Sequence, residues 1–216
     1  MFLQNLPLYI VLSAAITLII SLTIHEFAHA WTANLFGDDT PRLAGRLTLN
    51  PLQHLDLLGS VMLVIAGFGW AKPVPVNPYT LRRRSPAALM LVSLSGPLSN
   101  FLLAAIAALI LRLNIVPISF SSNQFIPSLY QFFIYFIFTN LALMLFNLMP
   151  IPPLDGEEIL SYLLPAQLSS FYDQLRPYGP LILMSILIIG PMFGVNLFST
   201  ILQPAIQSLA QLLIGA

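Results

Sequence analysis

The sequence contains no cysteine, and charged residues occupy only 7% of its 216 positions. Without cysteine, disulfides and thiolate metal sites are excluded, so any metal must be held by histidine and carboxylate side chains. A soluble domain carries roughly 25% charged residues, whereas 57% of this chain is hydrophobic. The formal net charge is zero, which argues against nucleic acid as a partner. The composition therefore indicates an integral membrane protein that lies in a lipid bilayer.

Four long apolar stretches cover residues 8–36, 86–113, 128–149 and 180–198. A membrane-crossing helix needs about 20 apolar residues, and each stretch comes close to this length or exceeds it. The first stretch is not read as a signal peptide, because residues 1–7 lack Lys and Arg and no small-residue cleavage site follows. The sequence therefore predicts an all-α polytopic membrane protein with about four transmembrane helices, folded as one membrane-embedded domain over 1–216.

The segment 37–86 differs from the apolar stretches around it. It holds six of the eight basic residues, namely Arg42, Arg46, Lys72, Arg82, Arg83 and Arg84. Because basic residues stay on the cytoplasmic side, we expect this whole segment at the cytoplasmic face. Within it, Leu57–Trp70 is apolar but short and is read as re-entrant or interfacial, and Arg42–Leu49 as a short strand or β-hairpin. Residues 157–179 are expected to form a cytoplasmic linker, followed by a last helix and tail over 180–216.

The end of the first apolar stretch carries the sequence His-Glu-Phe-Ala-His. On a helix, positions i and i+4 lie on one face, so His25 and His29 can direct two imidazoles at one metal ion. Glu26 then supplies a carboxylate that can take a proton from metal-bound water. No charged residue occurs from Leu8 to Ile24, so this motif is predicted to lie within the membrane, a short way from one face.

Asp155 and Glu26 are the two carboxylates that lie deepest in apolar sequence. An ionised side chain in hydrocarbon costs about 2.5–3.5 kcal/mol on insertion scales, and a shared metal ion offsets that cost. The proline-rich Pro150–Pro153 segment cannot continue a helix, so an unwound chain is expected to present Asp155. Catalytic zinc takes three protein ligands and leaves a fourth position open. We therefore predict one Zn²⁺ per chain, bound by His25, His29 and Asp155, with Glu26 as general base.

Three further residues are weaker candidates for substrate binding. His54 is either a donor to the substrate carbonyl or a histidine of an interfacial loop. Asn147 either binds the substrate backbone or satisfies carbonyls that the proline break sets free. Asn100 lies four residues after Gly96, a spacing that a close helix contact also explains.

The stretches His25–His29, Asn147–Gly156 and Ser95–Asn100 together resemble the site-2 protease family of intramembrane zinc metalloproteases. The family pattern is H-E-x-x-H in one helix and N-x-x-P-x-x-x-L-D-G in a later one, and this sequence matches both. Asn50–His54 and Gly69–Pro78 are similar to the compact bacterial branch, without PDZ or CBS domains.

The resemblance implies that zinc is held by His25, His29 and Asp155 and that Glu26 is catalytic. It also implies cleavage of membrane-spanning protein substrates near the cytosolic face, in a bacterial plasma membrane.

The alternative is an intramembrane metal or ion transporter, because buried His and Asp also mark ion pathways. Against a transporter, the predicted ligands lie near one face and no paired repeat is evident. A non-catalytic binder of membrane segments is a third possibility, which the presence of Glu26 disfavours.

Overall fold

The computed structural model describes residues 7–56, 58–59, 69, 71–120, 126–194, 196 and 198–215. Within them, four helical stretches are long and apolar enough to cross a membrane: Leu8–Leu35, Ala88–Arg112, Leu129–Asn147 and Gln167–Met192. This confirms the prediction of a mostly helical, multi-pass membrane protein. The fourth stretch begins well before the predicted residue 180.

The α-helices in chain order are α1 (Leu8–Leu35), α2 (Thr40–Leu43), α3 (Pro78–Arg84), α4 (Ala88–Arg112), α5 (Leu129–Asn147), α6 (Gly156–Leu163), α7 (Ala166–Leu175), α8 (Gly179–Met184), α9 (Gly190–Met192) and α10 (Gln203–Ile214). Short 3₁₀ turns lie at Pro51–Gln53 and Arg176–Tyr178, and π turns at Ser185–Ile189 and Phe198–Leu202. The fourth candidate span therefore consists of α7, α8 and α9 with the turns between them.

Helix α1 is apolar almost throughout and has one polar face. Ser13, Thr17, Ser21 and His25 follow at intervals of four residues and are all buried. This spacing places them on one side of the helix, toward α4 and α5. Apolar residues such as Ile16 lie exposed on the other side, as expected for contact with lipid. The polar face thus leads along the interior of the helix packing to the His-Glu motif.

Small residues allow α4 to pack closely on its neighbours. Ala104, Ala107 and Ala108 of α4 are buried in a cluster with α5 and the C-terminal helix α10. Ile206 and Ala210 supply the contribution of α10 to this cluster. The last part of the segment 180–216, predicted as a tail, thus includes a helix, α10, that packs on α4 and α5.

The predicted β-hairpin between the first two spans is not supported. Among the described residues there is no strand, only an isolated antiparallel bridge between Leu55 and Ala71. Within Arg42–Leu49, the first two residues belong to helix α2, which has Pro41 at its start. A proline there already has the backbone angle of a helix, and it favours a helical turn. The predicted re-entrant segment Leu57–Trp70 lies almost entirely outside the described residues.

In this region, where strand pairing was predicted, the Arg46 side chain connects the loop segments. Its buried guanidinium donates hydrogen bonds to the backbone carbonyls of Gln53 (2.7 Å), Lys72 (3.1 Å) and Pro73 (3.0 Å). These bonds fasten two separate loop segments to one side chain. Irregular backbone is held here by a charged donor and not by a β-ladder.

Asp38 joins the end of α1 to the chain that precedes α3. The carboxylate is buried and accepts hydrogen bonds from the Thr40 backbone N–H (3.0 Å) and the Asn77 backbone N–H (2.6 Å). The non-helical segment that ends at Asn77 is thereby fixed beside the C-terminal end of α1.

Candidate metal centre

The structure brings the three predicted metal ligands together. The Nε2 atom of His25 lies 3.1 Å from Oδ2 of Asp155, and Nε2 of His29 lies 3.3 Å from Oδ1 of the same carboxylate. The two Nε2 atoms are 3.0 Å apart. All the ligand atoms lie within 4.8 Å of one another, close enough to share a single ion.

A tight loop delivers Asp155 to this position. Helix α5 ends at Asn147, and α6 begins at Gly156 directly after Asp155. A Cβ atom on Gly156 would lie 2.5 Å from the carbonyl oxygen of Met149 and closer still to that of Leu148. Only glycine allows the chain to close on itself so tightly, which explains the Asp-Gly pair at this point.

Hydrogen bonds at the far side of each imidazole fix which nitrogen faces the site. His29 Nδ1 lies 2.7 Å from the carbonyl oxygen of Val92, and His25 Nδ1 lies 2.6 Å from Oδ1 of Asn100. A carbonyl oxygen only accepts, so each Nδ1 carries the proton and donates it. Both Nε2 lone pairs therefore point toward Asp155, in the orientation that metal binding requires.

Asn100 is itself oriented by a neighbouring span. Its Nδ2 donates to Oδ1 of Asn140 (3.0 Å), and Nδ2 of Asn140 donates to the carbonyl oxygen of Phe136 (2.9 Å). Both asparagines are fully buried. Since the Phe136 carbonyl can only accept, it determines the direction of the whole chain of hydrogen bonds. The chain connects α5 through α4 to the imidazole on α1.

The arrangement fits a bound cation. Two imidazole lone pairs and a carboxylate converge, and apart from its 3.1 Å approach to His25 Nε2, Oδ2 of the partly buried Asp155 has no hydrogen-bond partner among the described residues. A single proton can bridge only one of the three close pairs of ligand atoms, whereas one divalent ion can bind all of these atoms at once. Space is reserved as well, since a Cβ on Gly96 would lie 2.6 Å from Nε2 of His25 and closer to that of His29. Two nitrogens and a carboxylate oxygen are a typical ligand set for catalytic zinc.

The carboxyl group of Asp155 remains ionised in this setting. Burial alone would raise its pKa, but without a metal ion a proton held by the adjacent imidazoles of His29 and His25 makes them positive, which outweighs burial and holds the pKa well below its usual range. The group is therefore an anion at neutral pH, as a metal ligand must be.

A cavity of about 460 Å³ opens over these residues. It is lined by Glu26 together with His25, His29 and Asp155, by residues of α4 and α5, and by the extended chain around Val74. The side chain of Glu26 is only 9% exposed and makes no hydrogen bond or ion pair with the described part of the protein. Its carboxylate is thus next to the metal ligands without being held by another group.

The three weaker candidates occupy different positions. Asn147 lines the cavity, and its Nδ2 donates to the carbonyl oxygen of Leu143 (3.0 Å). Asn100 lies behind His25, as described above. His54 is fully buried, with Nε2 2.7 Å from the carbonyl oxygen of Thr48, and it is not among the residues that line the described cavity. A substrate role for these residues stays a prediction.

Comparison with known proteins agrees with this geometry. The sequence model of Peptidase family M50 matches residues 13–129 and 113–189. A protein named "Putative zinc metalloprotease YwhC", from Bacillus subtilis, is 41% identical over 211 residues, which cover 92% of this chain and 96% of the relative. "Putative zinc metalloprotease Rip2" of Mycolicibacterium smegmatis is 33% identical over 181 residues, covering 79% of this chain and 64% of the relative.

The Mycobacterium tuberculosis protein of the same name is 36% identical over 144 residues, which cover 64% of this chain and 52% of that relative. No solved structure showed significant similarity to the chain. With the four candidate spans and the His-His-Asp cluster, these matches show that the chain belongs to Peptidase family M50 and is a multi-pass membrane zinc metalloprotease of the site-2 type.

Proposed function

We propose that this protein is an intramembrane endopeptidase that cleaves transmembrane segments of other membrane proteins near the cytosolic face. His25, His29 and Asp155 hold the zinc ion, and Glu26 acts as general base. The observation that carries the proposal is the position of Glu26, which lies unpaired in the same cavity as three converging metal ligands.

Each group of the site has a separate role in the proposed reaction, which follows from its chemistry. Zinc, when bound, polarises the peptide carbonyl and makes water a stronger acid. Glu26 takes the proton from the attacking water and later gives it to the leaving amine. Asn100 and the Val92 carbonyl keep the two imidazoles in the tautomer that binds metal. The burial of the ligands excludes bulk water from their surroundings.

The depth of the site supports cleavage near one face. His25 follows Leu8 by 17 residues, which at 1.5 Å per residue places it about 26 Å along α1. The hydrocarbon core is about 30 Å thick, so the metal ligands lie near its inner boundary. The basic helix α3, whose Leu81 packs with Ala33 near this end of α1, is expected on the cytoplasmic side. This position disfavours the alternative of an ion transporter, whose site is expected near the midplane.

The walls of the cavity suit an unwound, apolar substrate. Pro73, Val74 and Val76 come from a segment without regular secondary structure and line the cavity beside the predicted metal ligands. A transmembrane helix hides its carbonyls in its own hydrogen bonds, so it must unwind locally before one of them reaches the metal. We propose that Asn147, at the wall of the cavity, binds the backbone of the unwound segment.

Removal of the metal tests this function. Purified protein in proteoliposomes is expected to cut a co-reconstituted single-span fusion protein, to lose this activity with 1,10-phenanthroline and to regain it when Zn²⁺ is added. The products are followed by mass spectrometry, which also gives the position of the cut. Cleavage that persists in metal-free protein would exclude the zinc mechanism. Zinc flux across the same vesicles, lost on Asp155→Asn substitution, would favour a transporter.

The hydrogen-bond chain behind His25 gives a second prediction. Asn140→Leu removes the nearer acceptor of Asn100 Nδ2 and leaves the buried amide only the Ser21 carbonyl oxygen at 3.5 Å, so zinc affinity is expected to fall about tenfold. Asn100→Leu removes the partner of His25 directly and is expected to have the larger effect. Because both residues act through His25, the double variant should bind zinc no more weakly than Asn100→Leu alone. Additive losses, measured by chelator competition, would contradict the chain.

A further inference from the structure

The loop that carries Asp155 is contacted from outside by the fourth candidate span. We define residues 148–155 as the metal loop. The contacting residues are Tyr172, Arg176 and Gly179, which follow one another at intervals of four and three. In a helical stretch this spacing brings the three residues to one face. That face lies against the metal loop and the helix that continues it.

Arg176 binds the first turn of α6, immediately after Asp155. Its guanidinium contacts Glu157 through Nε, and its Nη2 lies 3.0 Å from Oε1 of Glu158. The Arg176 side chain is 32% exposed and that of Glu157 only 12%. Ion pairs that are withdrawn from water are screened less by salt than surface pairs are. One side chain of the fourth span thus holds two consecutive residues that share their helical turn with a metal ligand.

Tyr172 and Gly179 hold the other side of the loop. The Tyr172 hydroxyl donates a hydrogen bond to the carbonyl oxygen of Pro150 (2.9 Å). Gly179 is buried against Pro152, and a Cβ there would lie 2.5 Å from the Pro152 carbonyl oxygen and would overlap its ring. The loop is therefore held from both ends by contacts that do not involve the metal.

Beyond Gly179 the fourth span has little other support in the described structure. Its apolar side chains Leu181, Ile182, Met184, Leu187, Ile188, Ile189 and Met192 are all exposed on the isolated chain. In contrast, α4 and α5 pack extensively on each other and on α1. The contacts that the fourth span makes are thus concentrated at the metal loop.

We infer that Tyr172, Arg176 and Gly179 are positioning residues that hold Asp155 in reach of the two imidazoles. The inference rests on the proposed role of Asp155 as a zinc ligand. Apart from these contacts, Leu148 and Met149 pack on the hydrophobic core and α6 packs on α4, whereas the hydrogen bonds within the described loop are short-range, such as that from Leu154 N–H to the Ile151 carbonyl oxygen (2.9 Å). The histidines are held independently by α4, so a loosened loop withdraws one ligand of the three.

Zinc affinity, measured without any substrate, tests the inference. Arg176→Gln and Gly179→Ala are each expected to raise the dissociation constant for Zn²⁺ about tenfold, the lower end of the effect of outer-shell residues. Co²⁺-substituted protein is expected to show altered absorption bands, because the carboxylate ligand changes its geometry. Arg42→Gln is the matched control, since it removes an arginine from an exposed ion pair with Asp39. This control should bind both metals as the parent protein does.

A mutant cycle between Arg176 and the two glutamates of α6 distinguishes positioning of the metal loop from general destabilisation of the fold. If Arg176 acts through α6, the Arg176→Gln, Glu157→Gln, Glu158→Gln triple variant should bind Zn²⁺ about as tightly as Arg176→Gln alone. A dissociation constant within twofold of the parent in both Arg176→Gln and Gly179→Ala overturns the inference. The inference is also overturned if the metal-free variants lose thermal stability while the Co²⁺ spectrum of the folded fraction is unchanged.

Asp155→Asn is measured in parallel and distinguishes this inference from the proposed function. It is expected to weaken zinc binding far more than any of the positioning variants. Unchanged zinc binding in Asp155→Asn would contradict the assignment of Asp155 as a zinc ligand. Weak zinc binding in Asp155→Asn, together with normal zinc binding in Arg176→Gln and Gly179→Ala, would contradict only the proposed positioning role.

Discussion

Glu26→Gln is expected to reduce proteolysis at least about 10³-fold while the protein still binds one zinc ion per chain. The three ligands are untouched, and glutamine has nearly the same shape as glutamate. The negative charge and the capacity to take a proton are lost together, and general base catalysis contributes about 10²–10⁴-fold in enzymes. The measurement is the initial rate of cleavage of a single-span fusion in proteoliposomes, with zinc content determined on the same samples.

Asp39→Asn is the control for this variant, because it removes one negative charge from an exposed loop instead of the cavity. It should cleave at the parental rate. If Glu26→Gln retained more than about a tenth of the parental rate, another group would have to be the base. The variant also serves in cells, where uncut single-span proteins that accumulate in its membranes identify the substrates.

Gly96→Ala is expected to abolish zinc binding and, with it, proteolysis. The added methyl group would lie 2.6 Å from Nε2 of His25 and closer to Nε2 of His29, in the space between the ligands. Both imidazoles are tied behind by hydrogen bonds of 2.6 and 2.7 Å and cannot retreat. Alanine favours a helix over glycine by about 1 kcal/mol, so the loss would not arise from a weaker α4.

Equilibrium dialysis against Zn²⁺ and far-ultraviolet circular dichroism together check this expectation. Ser99→Ala is the matched control, since it alters a small residue of the same helix whose hydroxyl, in the described part of the chain, bonds only to the Gly96 carbonyl oxygen (2.7 Å). That variant should bind zinc normally. Full zinc occupancy in Gly96→Ala would mean that the ion does not lie between the imidazoles as the geometry indicates.

The sequence was most informative about features that depend on residues close together in the chain. Helical periodicity brought His25 and His29 to one face, and the cost of a charge in lipid singled out Asp155 as their partner. The apolar stretches gave the first three spans to within a few residues of their ends. Each of these predictions depends on residues that are neighbours in the chain or on a property that a bilayer imposes on every segment.

The local structure of polar loops was less predictable. Residues Arg42–Leu49 alternate enough to suggest a strand, yet Pro41 begins a helical turn and the Arg46 guanidinium takes up the loop carbonyls. Which distant carbonyls a charged donor will reach depends on where the loops pass one another. No pattern within the loop carries that information.

Composition, membrane embedding, the His-Glu-x-x-His helix and the choice of Asp155 as the candidate third ligand followed from the amino-acid sequence alone. Only the tertiary structure decided that Asn140 orients Asn100, that Gly96 reserves the space between the imidazoles, and that Arg176 reaches across to α6. A helix that is apolar on nearly every side does not reveal which face meets which neighbour. Contacts between residues distant in the chain, from Arg176 and Glu158 at 18 positions to Asn100 and Asn140 at 40, therefore appear only when the helices are packed.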